Sequence, residues 1–121
     1  MVSALFDTNI LLDHIKGVDA ARLELGRYDD RAISIISLME VLVGTTPATE
    51  APERAFLASF TTVPLDGAVA EEAVRLRRTH RMRLPDAAIW ASARLTGRLL
   101  VTRNIKDFPA GDPGVREPYR L

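Results

Sequence analysis

Short apolar segments alternate with helical patterns along this chain, and that alternation limits the possible folds more than any other feature. Helices are predicted between the strands, including a long one from Asp66 to about Met82 and another from Pro85 to Thr96. The predicted strands are 2–6, 32–36, 61–65, 99–102 and, in the tail, 115–121. Strands separated by helices indicate βαβ units. The sequence therefore predicts an α/β fold with a mostly parallel central sheet flanked by helices.

The composition excludes several other classes of protein. The 121 residues are 47% hydrophobic and 26% charged, which is typical of one globular domain, so we expect a single domain over residues 1–121. Cysteine is absent, which excludes disulfide scaffolds, thiolate zinc sites and cysteine nucleophiles. No apolar run approaches the roughly 20 residues that cross a bilayer, and the N-terminus lacks a basic leader. We expect a cytoplasmic protein with no membrane contact.

The charges are balanced overall but unevenly distributed. The chain has 16 basic and 16 acidic residues, and residues 61–121 carry the excess of basic ones. Five arginines, here named the arginine stripe, follow one another without an intervening acid: Arg75, Arg77, Arg78, Arg81 and Arg83. Such a stripe can bind a polyanion or can be a solvated helix face. Both interpretations remain open from the sequence.

Acidic and amide side chains stand where the predicted strands end. Asp7 ends the first strand, Glu40 lies a helical turn after the second, and Asp86 opens the helix before a late strand, which Asn104 and Asp107 follow. The carboxyl ends of parallel strands meet at one edge of a sheet, where α/β proteins bind ligands. Oxygen donors of this kind suit Mg²⁺ or Mn²⁺. The spacing predicts a divalent metal site at that edge.

Each of these residues also has a purely structural interpretation. Asp7 could cap the first helix, Ser37 and Glu40 form an S-x-x-E capping box, and Asp86 lies where the helix dipole favours an acid. Asn104 could be a turn residue. The chain has no G-x-G-x-x-G or Walker A motif, so nothing indicates a nucleotide cofactor. Trp90 is expected in the core or at an interface, not as a platform for stacking bases.

Four motifs, in order, resemble those of PIN-domain ribonucleases, specifically the VapC-type toxins of bacterial toxin–antitoxin pairs. They are Asp7-Thr8-Asn9, the segment ISIISLMEVLVG at 33–44, RLPDAAIWASA at 83–93 and LVTRNIKDF at 100–108. The likeness covers essentially the whole chain. It implies a PIN-like three-layer sandwich and a metal-dependent endoribonuclease.

The resemblance also implies roles for individual residues. Asp7, Glu40 and Asp86 match the family's acidic positions, with Mg²⁺ or Mn²⁺ held by Asp7 and Asp86 and with Glu40 orienting the attacking water or acting as its base. The family's fourth acidic position falls on Asn104 here, with Asp107 as the nearby carboxylate. Either of these two residues could fill it.

The remaining implications concern substrate and partners. Thr8 and Asn9 are expected to orient Asp7 or to reach the RNA, and Arg83 and Arg103 are expected to hold phosphates. The family further implies a homodimer and a cognate VapB-type antitoxin that blocks the active site. Two alternatives stay open, namely a non-catalytic PIN-like RNA-binding module and a receiver-type phosphorylation switch, which would also use an acidic Mg²⁺ pocket.

Overall fold

A computed structural model describes residues 2–121 of the chain. The strands are β1 (Ser3–Phe6), β2 (Asp30–Ser34), β3 (Thr61–Val63), β4 (Leu99–Val101) and β5 (Val115–Arg116). The helices are α1 (Thr8–Ile15), α2 (Asp19–Leu25), α3 (Ile35–Val43), α4 (Glu50–Ala58), α5 (Gly67–His80) and α6 (Leu84–Leu95), and a 3₁₀ turn spans Ile105–Asp107. The alternation of strands and helices predicted from the sequence is confirmed.

The five strands form one sheet in the order β3-β2-β1-β4-β5, and all four pairings are parallel. The central strand, β1, pairs through Leu5 with Ala32 on one side and with Leu100 on the other. Strand β3, which Pro64 follows, lies at an edge as predicted. The order differs from the 2-1-3-4-5 order of flavodoxin-like folds. The receiver-type alternative, which needs that order, is therefore wrong.

Side chains alternate along β1 between two apolar cores, one on each face of the sheet. Ala4 and Phe6 pack with α1, α2, α3 and α4, whereas Leu5 packs with α5 and α6. Trp90 is 1% exposed in the second core, as predicted, and meets Phe108 edge to face. Helices on both faces of a parallel sheet confirm the three-layer sandwich.

The start of α3 differs from the prediction. The apolar run 32–36 was expected to be a strand, with Ser37 opening the helix, but the strand ends at Ser34 and the helix begins at Ile35. Ser34 is the cap, because its hydroxyl accepts a hydrogen bond from the N–H of Ile36 at 3.0 Å. Ser37 is then fully buried inside the helix. The predicted Ser37–Glu40 capping box is wrong.

None of the helices within residues 2–121 has the length and apolar character needed to cross a membrane.

Candidate active site

Asp7 stands directly after the central strand and is 6% exposed. Its Oδ1 accepts a hydrogen bond from the N–H of Thr8 at 2.7 Å, so it does cap α1 as the structural interpretation proposed. Its Oδ2 accepts from the hydroxyl of Thr102 at 2.8 Å and from the amide of Asn9 at 3.3 Å. Asp7 is consequently fixed through both oxygens while it faces the acids of the neighbouring segments.

Thr102 is a site residue that the sequence analysis missed. Its side chain is fully buried. Its hydroxyl donates to Asp7 and accepts from the side chain of Asn9 at 3.2 Å and from the N–H of Asn104 at 3.0 Å. One hydroxyl thus joins the end of β4 to the Asp7 carboxylate. The only signal for it in the sequence is its place two residues before Asn104 in the fourth motif.

Glu40 lies in the middle of α3, where it cannot cap the helix. The hydroxyl of Thr8 donates to its Oε1 at 2.6 Å and lies 2.8 Å from the hydroxyl oxygen of Ser37. Thr8 therefore holds two acids at once, Asp7 through its N–H and Glu40 through its side chain. The expectation was that Thr8 orients Asp7 or reaches the RNA, and its contact with Glu40 is an addition to it.

Asp86 lies in the first turn of α6, after Pro85, and its side chain is 16% exposed. Its charge interacts with those of Glu40 and Asp107. Asp107 in turn accepts a very short hydrogen bond from the side-chain amide of Asn104. Asn104 thus positions Asp107, and the carboxylate that faces Asp86 is that of Asp107.

These four carboxylates, here named the acidic cluster, come from four separate segments: Asp7, Glu40, Asp86 and Asp107. Burial raises the pKa of Asp7 to about 6, and the charges of Asp86 and Glu40 add to that effect, while the hydrogen bonds from Thr102 and Thr8 oppose it. Burial also raises the pKa of Asp86, with Arg83 opposing and Asp107 and Glu40 adding. Negative charge is therefore concentrated at this edge of the sheet, with Arg83 as a partial counter-charge beside Asp86.

The acidic cluster fits a hard divalent cation by the chemistry of its donors, which are all oxygens. Among residues 2–121, no group of three or more Asp, Glu or His side chains is already arranged to hold a metal ion. Mg²⁺ commonly binds through only one or two carboxylates and completes its shell with waters and substrate phosphates. Asp7 and Asp86 could supply that pair, since positive charge between them would relieve their repulsion.

Arg103 departs from the expectation that it holds a phosphate. Its guanidinium donates to both oxygens of Asp13, at 2.5 Å and 2.9 Å, and the hydroxyl of Tyr119 donates to the same carboxylate at 2.7 Å. Asp13 is 2% exposed, so the guanidinium of Arg103 neutralises a buried acid. Its N–H donates to Asn9 at 3.1 Å, which makes Arg103 a support for the site.

The arginine stripe divides into paired and unpaired members. Arg75 donates to Glu72, which Arg94 also contacts, and Arg83 lies 3.9 Å from Asp86. Within the described residues 2–121, Arg77, Arg78 and Arg81 have no carboxylate within 4.0 Å. Ala73 and Leu76 face the core, as predicted. Arg75 is therefore held by Glu72 and Arg83 lies beside Asp86, whereas Arg81, which lines one cavity with Asp107, has no carboxylate partner in the described part of the chain.

The chain is thus a parallel α/β sandwich that carries acidic side chains from four segments at the carboxyl edge of its sheet. The family model of the PIN domain matches residues 4–110, and this chain belongs to that family.

Individual proteins similar to this chain can also be named. Ribonuclease VapC10 of Mycobacterium tuberculosis (strain CDC 1551 / Oshkosh) is 36% identical over 113 residues, covering 87% of this chain and 85% of the relative. A chain of a toxin–antitoxin complex from Klebsiella pneumoniae is 44% identical with a TM-score of 0.93, covering 98% of this chain and 100% of that one. A chain of DNA-bound VapBC from Salmonella typhimurium is 25% identical with a TM-score of 0.79, covering 96% of each.

Proposed function

We propose that this chain is the ribonuclease toxin of a toxin–antitoxin pair, and that it cleaves RNA internally by divalent-metal-dependent hydrolysis. The observation that carries the proposal is the acidic cluster, in which Asp7 is buried, fixed through both oxygens and surrounded by like charge. Helix capping alone does not account for it, because Glu40 sits in mid-helix. The similarity to a ribonuclease over most of the chain supports the choice of RNA as substrate.

The side chains divide the work of hydrolysis among them. Asp7 and Asp86 would hold Mg²⁺ or Mn²⁺, which when bound neutralises phosphodiester charge and lowers the pKa of the attacking water. The Thr8 hydroxyl donates a hydrogen bond to Oε1 of Glu40, so Oε2 is the atom that would accept the proton of that water. Attack by water leaves the ribose 2′-hydroxyl unused, and we expect products with 5′-phosphate and 3′-hydroxyl ends.

Asp107 is the residue we propose for the family's fourth acidic position. Its carboxylate faces Asp86, and the side-chain amide of Asn104 donates a hydrogen bond to it. An Asp107→Asn variant should therefore lose more cleavage activity than an Asn104→Ala variant, in which the carboxylate remains.

The direct test is cleavage of a single-stranded RNA by the purified chain with Mg²⁺, with Mn²⁺ and with EDTA. We expect cleavage with either metal and none with EDTA. Asp7→Asn should lose about a hundredfold or more in rate, since the loss of several kcal/mol of electrostatic stabilisation corresponds to at least that factor. Asp29→Asn is the matched control, because Asp29 is exposed just before β2, at the opposite edge of the sheet.

The same assay separates the proposal from its alternative, a PIN-like module that binds RNA without cutting it. That module would bind RNA equally well in wild type and Asp7→Asn and would release no products with either metal. Cleavage that survives both EDTA and Asp7→Asn would refute the assignment of the acidic cluster.

The partner we propose is a cognate antitoxin of the VapB type. The relatives of known structure are chains of toxin–antitoxin and VapBC complexes, which supports the assignment. Co-expression with its cognate VapB-type antitoxin should suppress RNA cleavage and yield a stable complex. We also propose a homodimer, which light scattering of the purified chain would detect as twice the mass of 13.3 kDa.

A further inference from the structure

Next to the acidic cluster is a polar cavity that no step of the proposed reaction uses. It has a volume of about 290 Å³ and lies between the α5–α6 connection and the 3₁₀ turn, and it is here named the α5–α6 cavity. Its walls are His80, Arg81, Met82, Arg83, Lys106 and Asp107. Asp107 belongs to the acidic cluster, so the cavity opens beside the reacting centre.

The walls of this cavity carry excess positive charge. Arg81, Arg83 and Lys106 are exposed cations against the single carboxylate of Asp107. Over residues 2–121, neither Arg81 nor Lys106 has a carboxylate within 4.0 Å, and the nearest acid to Arg83 is Asp86 at 3.9 Å. Cations without a carboxylate partner beside an acidic centre are well placed to bind an anionic group of the substrate.

A second polar cavity on the other side of Lys106 differs in this respect. It has a volume of about 580 Å³ and is lined by Asn9, Arg103, Asn104 and Arg120, among others. Arg103 forms an ion pair with Asp13, and Arg120 forms one with Glu117 at 3.0 Å. Lys106 lines both cavities, but the other charges of the second one are paired inside the protein, whereas the α5–α6 cavity adds Arg81, which has no carboxylate partner among residues 2–121. The α5–α6 cavity is therefore the better anion site.

The backbone of Arg81 gives an independent observation. Arg81 ends α5 with φ 55° and ψ 30°, and it is the only non-glycine residue with positive φ in the described part of the chain. Helices that end in this left-handed conformation usually place glycine there, because the Cβ of any other residue crowds the backbone. Here the strained position carries a cation that lines the cavity, as strained residues at functional sites often do.

We infer that the α5–α6 cavity is a subsite for a phosphate of the RNA backbone adjacent to the bond that is cut, with Lys106 and Arg81 as its cations. This inference rests on the proposed function. Arginine and lysine are the usual phosphate contacts of proteins, and such contacts position a strand without reading its sequence. Lys106 and Arg81 are thus positioning residues, not catalytic ones.

The test compares single-turnover cleavage of one RNA by wild type, Lys106→Ala and Arg81→Gly over a range of RNA and salt concentrations. Each variant should raise the dissociation constant about fivefold at 0.1 M salt and flatten the log–log salt dependence by about 0.7, the value for one phosphate contact of single-stranded RNA. The rate at saturating RNA should stay within about twofold, since no reacting group is altered. Lys106→Arg should restore binding.

The chain also provides its own control. Its two lysines are Lys106 and Lys16, and Lys16 is exposed at the end of α1. Lys16→Ala should change neither the dissociation constant nor the salt slope. In an Asp7→Asn background that prevents cleavage, bound RNA should protect Lys106 from acylation while Lys16 reacts at its free rate, as read by mass spectrometry.

The outcomes separate this inference from the proposed function. If wild type cleaves RNA but Lys106→Ala and Arg81→Gly keep its dissociation constant and salt slope, the subsite is refuted and the ribonuclease assignment stands. If those variants bind RNA normally but bind the antitoxin more weakly, the cavity is a peptide site and the inference is wrong. If wild type neither binds nor cleaves RNA, the proposed function itself fails.

Discussion

The hydroxyl of Thr102 offers the sharpest test of how the acidic cluster is held. Thr102→Val keeps the shape of a fully buried side chain and removes only the hydroxyl, which donates to Asp7 at 2.8 Å and accepts from Asn104 N–H at 3.0 Å. A hydrogen bond to a charged group contributes about 1.5–3 kcal/mol. Asp7 keeps its bond from Thr8, so we expect a loss of about 2 kcal/mol in the free energy of unfolding.

For a chain of 121 residues, a loss of that size should lower the melting temperature by about 8 °C, since unfolding entropy scales at about 2.1 cal/mol/K per residue. Cleavage should fall by about 10- to 100-fold, the usual effect of removing a residue that orients a metal ligand. Thermal unfolding followed by circular dichroism and the RNA cleavage assay measure the two effects.

Thr102→Ser is the matched control, because it keeps the hydroxyl and removes a methyl group. It should retain most of the cleavage activity and lose only the packing of that methyl group, about 1 kcal/mol. If Thr102→Val is as stable and as active as wild type, or if Thr102→Ser is impaired as severely, the hydroxyl does not hold Asp7 in the way described.

Other perturbations test separate parts of the structure. Asp13→Asn should cost about 2 kcal/mol at pH 7, measured by urea unfolding, whereas Asp19→Asn in an exposed pair should cost less than about 1 kcal/mol. Burial alone would raise the pKa of Asp13, but its bonds from Arg103 and Tyr119 hold that pKa below 3.8, so the difference should persist above about pH 4 and vanish as the pH falls through the lowered value. Glu40→Gln should slow RNA cleavage strongly without lowering the melting temperature, since the amide oxygen still accepts from Thr8; unchanged cleavage would remove Glu40 from the reaction. Arg81→Gly should raise the free energy of unfolding by about 0.5–1 kcal/mol, and a loss would contradict the strain assigned to its left-handed backbone.

The order of elements and the edge that carries the acids could be predicted because both depend on local signals. Apolar runs of strand length alternate with helical periodicity, and parallel strands place their carboxyl ends together whatever their order. The boundary between β2 and α3 could not be placed correctly. Ile35 and Ile36 continue an apolar β-branched run, so propensity favours a strand, while the Ser34 cap and the packing of α3 decide for a helix.

The residues that hold the acidic cluster in place could not be predicted from local sequence signals, for a different reason. Thr102 reaches Asp7 across 95 positions of sequence, and Arg103 reaches Asp13 across 90. Neither pairing leaves a periodicity or a spacing that a single sequence can reveal. The family resemblance implied a phosphate contact for Arg103, and only the fold shows that its guanidinium pairs with a buried carboxylate.

An acid at the carboxyl edge of a parallel sheet can cap a helix and also take part in the chemistry of the site. Each strand ends at the edge where the next helix begins, so a carboxylate there meets both a helix N-terminus and the carboxylates of neighbouring segments. Asp7 accordingly caps α1 and faces Asp86 at the same time. The hydrogen bond from the N–H of Thr8, at the start of α1, stabilises the negative form of Asp7 and partly offsets the effect of burial and of the neighbouring acids. Glu40 lies in mid-helix and accepts from the Thr8 hydroxyl instead, so Glu40→Gln tests its role without disturbing a cap.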